Sequence, residues 1–207
     1  MQLPLPSTFN AALSNDRLAE VARWLLEELD ATEEDLVRST DSGYGRGCTT
    51  FDRQKNRIIS EWKSGKHSWL EIKSGASFAV VMAIGGVPCR FSNDDPSSPK
   101  KDAVLFANRY QQEFLEFAED HEPGQFCFIV DRSHLMQGEA RVEFHGFTPT
   151  GSMACRWVSD DSIRVLRVVD PVSLPQRIEI EKPIVELMPL PEEKSDFNAV
   201  NPATPSS

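Results

Sequence analysis

No apolar run in this chain of 207 residues is long enough to cross a bilayer as a helix, which takes about 20 consecutive, mostly apolar residues. The opening residues, Met1-Gln2-Leu3-Pro4-Leu5-Pro6, carry neither a basic leader nor a long apolar segment, so secretion is not expected. Cysteines are few and far apart: Cys48, Cys89, Cys127 and Cys155. None forms a C-x-x-C pair, which argues against a zinc knuckle. Cys127 and Cys155 fall in expected strands, where a reduced thiol behaves as a small apolar side chain. A reducing cytoplasm fits this pattern. The histidines His67, His121, His134 and His145 show no metal-ligand spacing. No phosphate-binding G-x-x-x-x-G-K-[ST] or G-x-G-x-x-G motif is present, and no G-x-S-x-G elbow. No cofactor and no membrane partner are expected, and no specific motif makes the chain an enzyme. No internal repeat is visible.

What the chain does have is segregated charge. The formal net charge is -10. Residues 42–75 hold seven basic groups (Arg46, Arg53, Lys55, Arg57, Lys63, Lys66, Lys73) against three acids (Asp52, Glu61, Glu71), a net of +4 that leaves -14 for the rest. Residues 1–41 carry nine acids and three bases, a net of -6. An acidic layer followed by a basic island points to a polar partner surface. The net charge opposes non-specific nucleic-acid binding by the whole molecule, while a local basic patch stays available for it.

Hydrophobic periodicity supplies the elements. Leu18, Val21, Ala22, Leu25 and Leu29 share one face at helical spacing, so a helix capped by Ser14 or Asn15 is expected to about Asp30. Thr32 and Asp35 suggest a second, short, self-capped helix. Gly43-Tyr44-Gly45-Arg46-Gly47 reads as a flexible loop. A helix from Thr49 or Thr50 to about Lys63 follows, with Phe51, Ile58, Ile59 and Trp62 on one face and Gly65 ending it. The period then changes to two. Strands are expected at 68–73, 77–84, 87–92, 126–131, 139–147, 152–158 and 163–169, with tight turns at Gly85-Gly86 and 148–151. Between them, Ser98 and Pro99 start a helix expected to run to about Asp120, with Phe106, Tyr110, Phe114 and Phe117 along one stripe.

The pieces make an α+β fold: an N-terminal helical layer, then a mainly antiparallel sheet packed against one long helix at 99–120. Three regions result: a helical layer at 1–65, the sheet at 66–170, and an extended proline-rich tail at 171–207. In that tail 177–180 reads as one extended piece, and the chain beyond about Leu190 as mobile.

Four constellations carry possible chemistry. In the first, a glycine-rich loop leading into a helix aims N–H groups at an anion. Its candidate phosphate-binding residues are Tyr44, Arg46, Arg53, Arg57, Lys66, Trp69 and Lys73, with Tyr44, Trp62 and Trp69 as stacking surfaces for bases. The plainer reading is an amphipathic helix whose basic face leans on the acidic first helix, with Trp62 in the core. The second is Glu71-Ile72-Lys73 on a strand, with Asp52 or Glu61 upstream. This outline resembles the acid-x-lysine signature of restriction-type nucleases, where carboxylates hold a divalent cation. It covers three residues, and the alternative is a surface ion pair. The third is Asp131-Arg132-Ser133-His134, an acid, a serine and a histidine too close in sequence to converge as a triad. A polar turn is the simpler account. The fourth is the acidic layer at 1–41, which imitates a phosphate backbone or neutralises a basic protein.

The leading expectation is a non-enzymatic cytoplasmic interaction protein that binds a protein partner through a charged face. A nucleic-acid or nucleotide binder using 42–75 is the second reading, and a divalent-metal nuclease using Glu71 and Lys73 the third.

Overall fold

An amphipathic helix must bury its apolar stripe against another element, and here two of them share one face of a sheet. In the computed structural model, residues 3–76, 79–116, 118–132 and 140–159 are described. All of them belong to one unit, Met1–Arg167. The boundary at 170, the tail at 171–207, Phe117, and the strands expected at 163–169 and 177–180 lie outside the described residues.

The element order is α1 (Asn15–Asp35), α2 (Gly43–Lys63), β1 (Leu70–Ala76), β2 (Ala79–Ile84), β3 (Val87–Asn93), α3 (Asp102–Leu105), α4 (Arg109–Leu115), β4 (Gln125–Asp131), β5 (Arg141–Phe147) and β6 (Met153–Val158). The six strands form one sheet in sequence order. Every neighbouring pair is antiparallel except β3 and β4. That parallel pair needs a crossover, which α3 and α4 supply. The fold is therefore α+β with a mostly antiparallel sheet.

α1 lies against β4 and β5, and α2 against β1 and β3. Leu18, Val21, Trp24, Leu25 and Leu29 of α1 meet Met82, Ile84, Phe91, Phe126, Phe128 and Phe144 in one continuous core. A buried hydrogen-bond chain ties the layers together. Gln54 Nε2 on α2 donates to the Leu25 carbonyl at 2.8 Å, and Asn93 Nδ2 on β3 donates to Gln54 Oε1 at 2.8 Å. Trp157 Nε1 of β6 donates to Asn15 Oδ1 at the start of α1, 2.8 Å away.

Several expectations change. The long helix at 99–120 is two short ones. Phe106 adopts extended angles (φ -126°, ψ 134°) and ends α3. Asn108 then caps α4 in a reciprocal box with Gln111. Side-chain caps of this kind compete with helix continuation. Phe106 therefore leaves the expected stripe, while Phe114 still packs on the core. The first two expected helices are one, because Thr32 does not cap. Its hydroxyl donates back to the Glu28 carbonyl at 2.7 Å, inside the helix. The glycine-rich loop is the first turn of α2, capped by Ser42, whose Oγ accepts from Gly45 N–H at 3.0 Å. The Gly85-Gly86 turn forms as expected, with both residues at positive φ (57° and 90°), as a two-residue hairpin requires.

Candidate protein-interaction site

The basic island is cross-linked to the acidic layer. Arg53 Nη1 lies 2.7 Å from Asp35 of α1. Arg57 reaches Glu27 of α1 at 3.2 Å and Glu61 of its own helix at 3.0 Å. Lys55 pairs with Asp52 at 2.8 Å, and Lys73 with Glu71 at 2.7 Å. The remaining candidates are far apart. Tyr44 and Arg46 sit on the first turn of α2 and Lys66 just beyond its last, and a helix of 21 residues spans about 30 Å at 1.5 Å per residue. Trp69 belongs to an aromatic stack with Trp24 (centroids 6.1 Å, 3° between planes) under the Arg17 guanidinium at 5.8 Å. Trp62, expected in the core, is exposed. Tyr44 and Arg46 thus stand a helix length away from Lys66.

The upstream acids of the nuclease outline are held in ion pairs. Asp52 is taken by Lys55, and Glu61 by Arg57 and, at 3.6 Å, His67. Among the described residues no group of three histidine, cysteine or acidic side chains is placed to hold a metal. Of the Asp131-Arg132-Ser133-His134 stretch, Ser133 and His134 lie outside the described residues. Arg132 pairs with Glu33 of α1.

A charge cluster lies on the sheet face away from α1. Strand alternation puts Arg141, Glu143 and His145 of β5 on that face, and register sets Asp131 opposite Arg141 and Arg156 opposite His145. Glu143 is the hub. Its carboxylate accepts from Arg156 Nε (2.7 Å) and Nη2 (2.6 Å), and meets His145 Nε2 at 2.8 Å. Arg141 lies 3.3 Å from Glu143 and 3.2 Å from Asp131. Glu143 and His145 are each only 1% exposed. Burial alone would raise the Glu143 carboxyl. The hydrogen bonds from His145 and Arg156, with their charges, overcome it and hold the group at about 2. His145 is buried, and its Nδ1 has no hydrogen-bond partner among the described residues. The signal available in sequence was the R-x-E-x-H alternation facing a second strand that carries Arg156.

The third feature is built by the crossover. Val104 of α3 buries its side chain on Cys127 and Ile129 of β4. Two side chains from the sheet then clamp the backbone around it. Gln125 Nε2 donates to the Val104 carbonyl at 2.6 Å, and Arg90 Nη1 donates to the Phe106 carbonyl at 3.1 Å. The next residues are held outward: Leu105 is 49% and Phe106 63% exposed. The surrounding segment 94–122 holds eight acids and three bases, a net of -5.

Comparison with known protein families, with curated proteins and with solved structures finds no match for this chain. Among the described residues no helix is long and apolar enough to cross a membrane.

Proposed function

We propose that this chain is a non-enzymatic interaction protein whose acidic crossover face binds a basic protein partner, with Leu105 and Phe106 as apolar anchors. The carrying observation is the clamp. A leucine and a phenylalanine stand largely exposed on a backbone fixed by Arg90, Gln125 and the buried Val104. Ordering cost is thereby met before binding, which favours affinity. Aromatic anchors surrounded by contacts that exclude water are the usual energetic centres of interfaces. The acids of 94–122 select a basic surface and speed encounter with it. Binding through 42–75 has less support, because Arg53 and Arg57 already have carboxylate partners.

The test compares the parent chain with L105S/F106S as bait in cell lysate, with bound proteins identified by mass spectrometry. The parent should retain a basic protein at near-stoichiometric amount and release it as ionic strength rises. The double variant should keep the parent's circular dichroism and lose that protein. Identical protein sets on both baits would remove the reading.

A further inference from the structure

The two edges of the sheet are treated differently. At β6 the Arg156 N–H donates to the Pro4 carbonyl at 3.1 Å, so the N-terminal lead-in covers that edge. On the outer side of β1 the Leu70 N–H is taken by the His67 carbonyl at 2.9 Å, and among the described residues no backbone bond reaches the outer N–H and C=O of Ile72. The Gly85 N–H to Trp69 carbonyl bond (2.7 Å) fixes the phase of the β1–β2 ladder. In an antiparallel pair the backbone groups of successive residues turn alternately to the partner and away from it. Trp69 and Glu71 therefore face β2, and Ile72 turns its N–H and C=O to the open side.

The side chains flanking Ile72 make this edge complementary to itself. Glu71 and Lys73 stand on one face, 2.7 Å apart and both partly exposed, while Ile72 packs toward the core. A two-fold axis through Ile72 would let it exchange both backbone bonds with Ile72 of a second chain. Glu71 of each chain would then lie opposite Lys73 of the other, in the closely spaced type of antiparallel pair. We infer that β1 is a self-association edge whose occupant is the β1 of a second copy of this chain, selected by the Glu71 and Lys73 charges. The irregularity between Ile72 and Ser74 bends the edge and keeps the new ladder short, as bulges at sheet edges do. The dimer is accordingly weak and concentration-dependent. This surface is separate from the Leu105–Phe106 face, and neither proposal depends on the other.

Sedimentation velocity across a concentration series tests it with the full chain, E71K, K73E and the exchange variant E71K/K73E, each checked for native circular dichroism. The parent should shift from its 23.2 kDa monomer toward twice that mass. Each single variant sets like charges against each other and should stay monomeric. The exchange variant restores complementarity and should dimerise as the parent does. A mixture of E71K with K73E should also dimerise, because all-lysine and all-glutamate edges complement each other. A parent that is monomeric throughout would overturn the inference and leave the edge to a foreign strand or to none. Single variants that dimerise as the parent does, or a mixture that stays monomeric, would equally overturn it.

Discussion

Glu143 shows how much one carboxylate can organise. It is buried, yet charged, because Arg156 grips it twice and His145 once. Its group stands at about 2 against an ordinary 4.5. A depressed carboxyl contributes stability that is complete above the unfolded value and is lost as pH falls toward the folded one. The pH window for that loss therefore runs from about 4.5 down to about 2. Glu143→Gln should cost about 2 kcal/mol at neutral pH, the scale of a hydrogen bond to a charged group. It should also flatten the acid limb of a urea-midpoint against pH profile. A parent-like acid limb in the variant would show that Glu143 is not the group responsible. Gly146 is the other critical residue on β5. A Cβ there would fall 2.5 Å from Cys155 Sγ and 2.9 Å from the Phe126 ring. Gly146→Ala should destabilise by about 2 kcal/mol through overpacking, read as a lower urea midpoint at unchanged slope.

At the scale of elements, α1 and α2 pair by charge as well as by packing. Arg57 lies among Glu27, Glu28 and Glu61, so Arg57→Ala leaves three acids clustered with one less cation. The expected loss is about 1 kcal/mol, the upper end for a partly exposed ion pair, and it should shrink in high salt. A salt-independent loss would assign the effect to packing of the side-chain stem instead. The α1 stripe of Leu18, Val21, Ala22, Leu25 and Leu29 was legible because its spacing is local, and all five are buried. The hairpins at 85–86 and 148–151 were legible from turn chemistry. The crossover was not. Its aromatic spacing suits one helix, whereas the Asn108 cap and the extended Phe106 interrupt it. Arg90 and Gln125, which hold that break in place, come from β3 and β4, up to 21 residues away in sequence.

At the largest scale, across the described residues, helices cover one face of the sheet, the crossover covers part of the other, and the lead-in closes one edge. Among the described residues, the Leu105–Phe106 display and the open side of β1 are the candidate surfaces. Composition, spacing and turn residues by themselves determined an α+β chain with an acidic layer, a basic segment and strands in the observed order, because each of those depends on near neighbours. Only tertiary contact decided that Arg53 and Arg57 of the basic segment pair with acids of α1, since charge in sequence carries no information about which carboxylate a long arginine will reach. Packing alone likewise buried Glu143 and His145 and pushed Leu105 and Phe106 outward. Whether a side chain is enclosed depends on strands and crossovers brought together across dozens of residues.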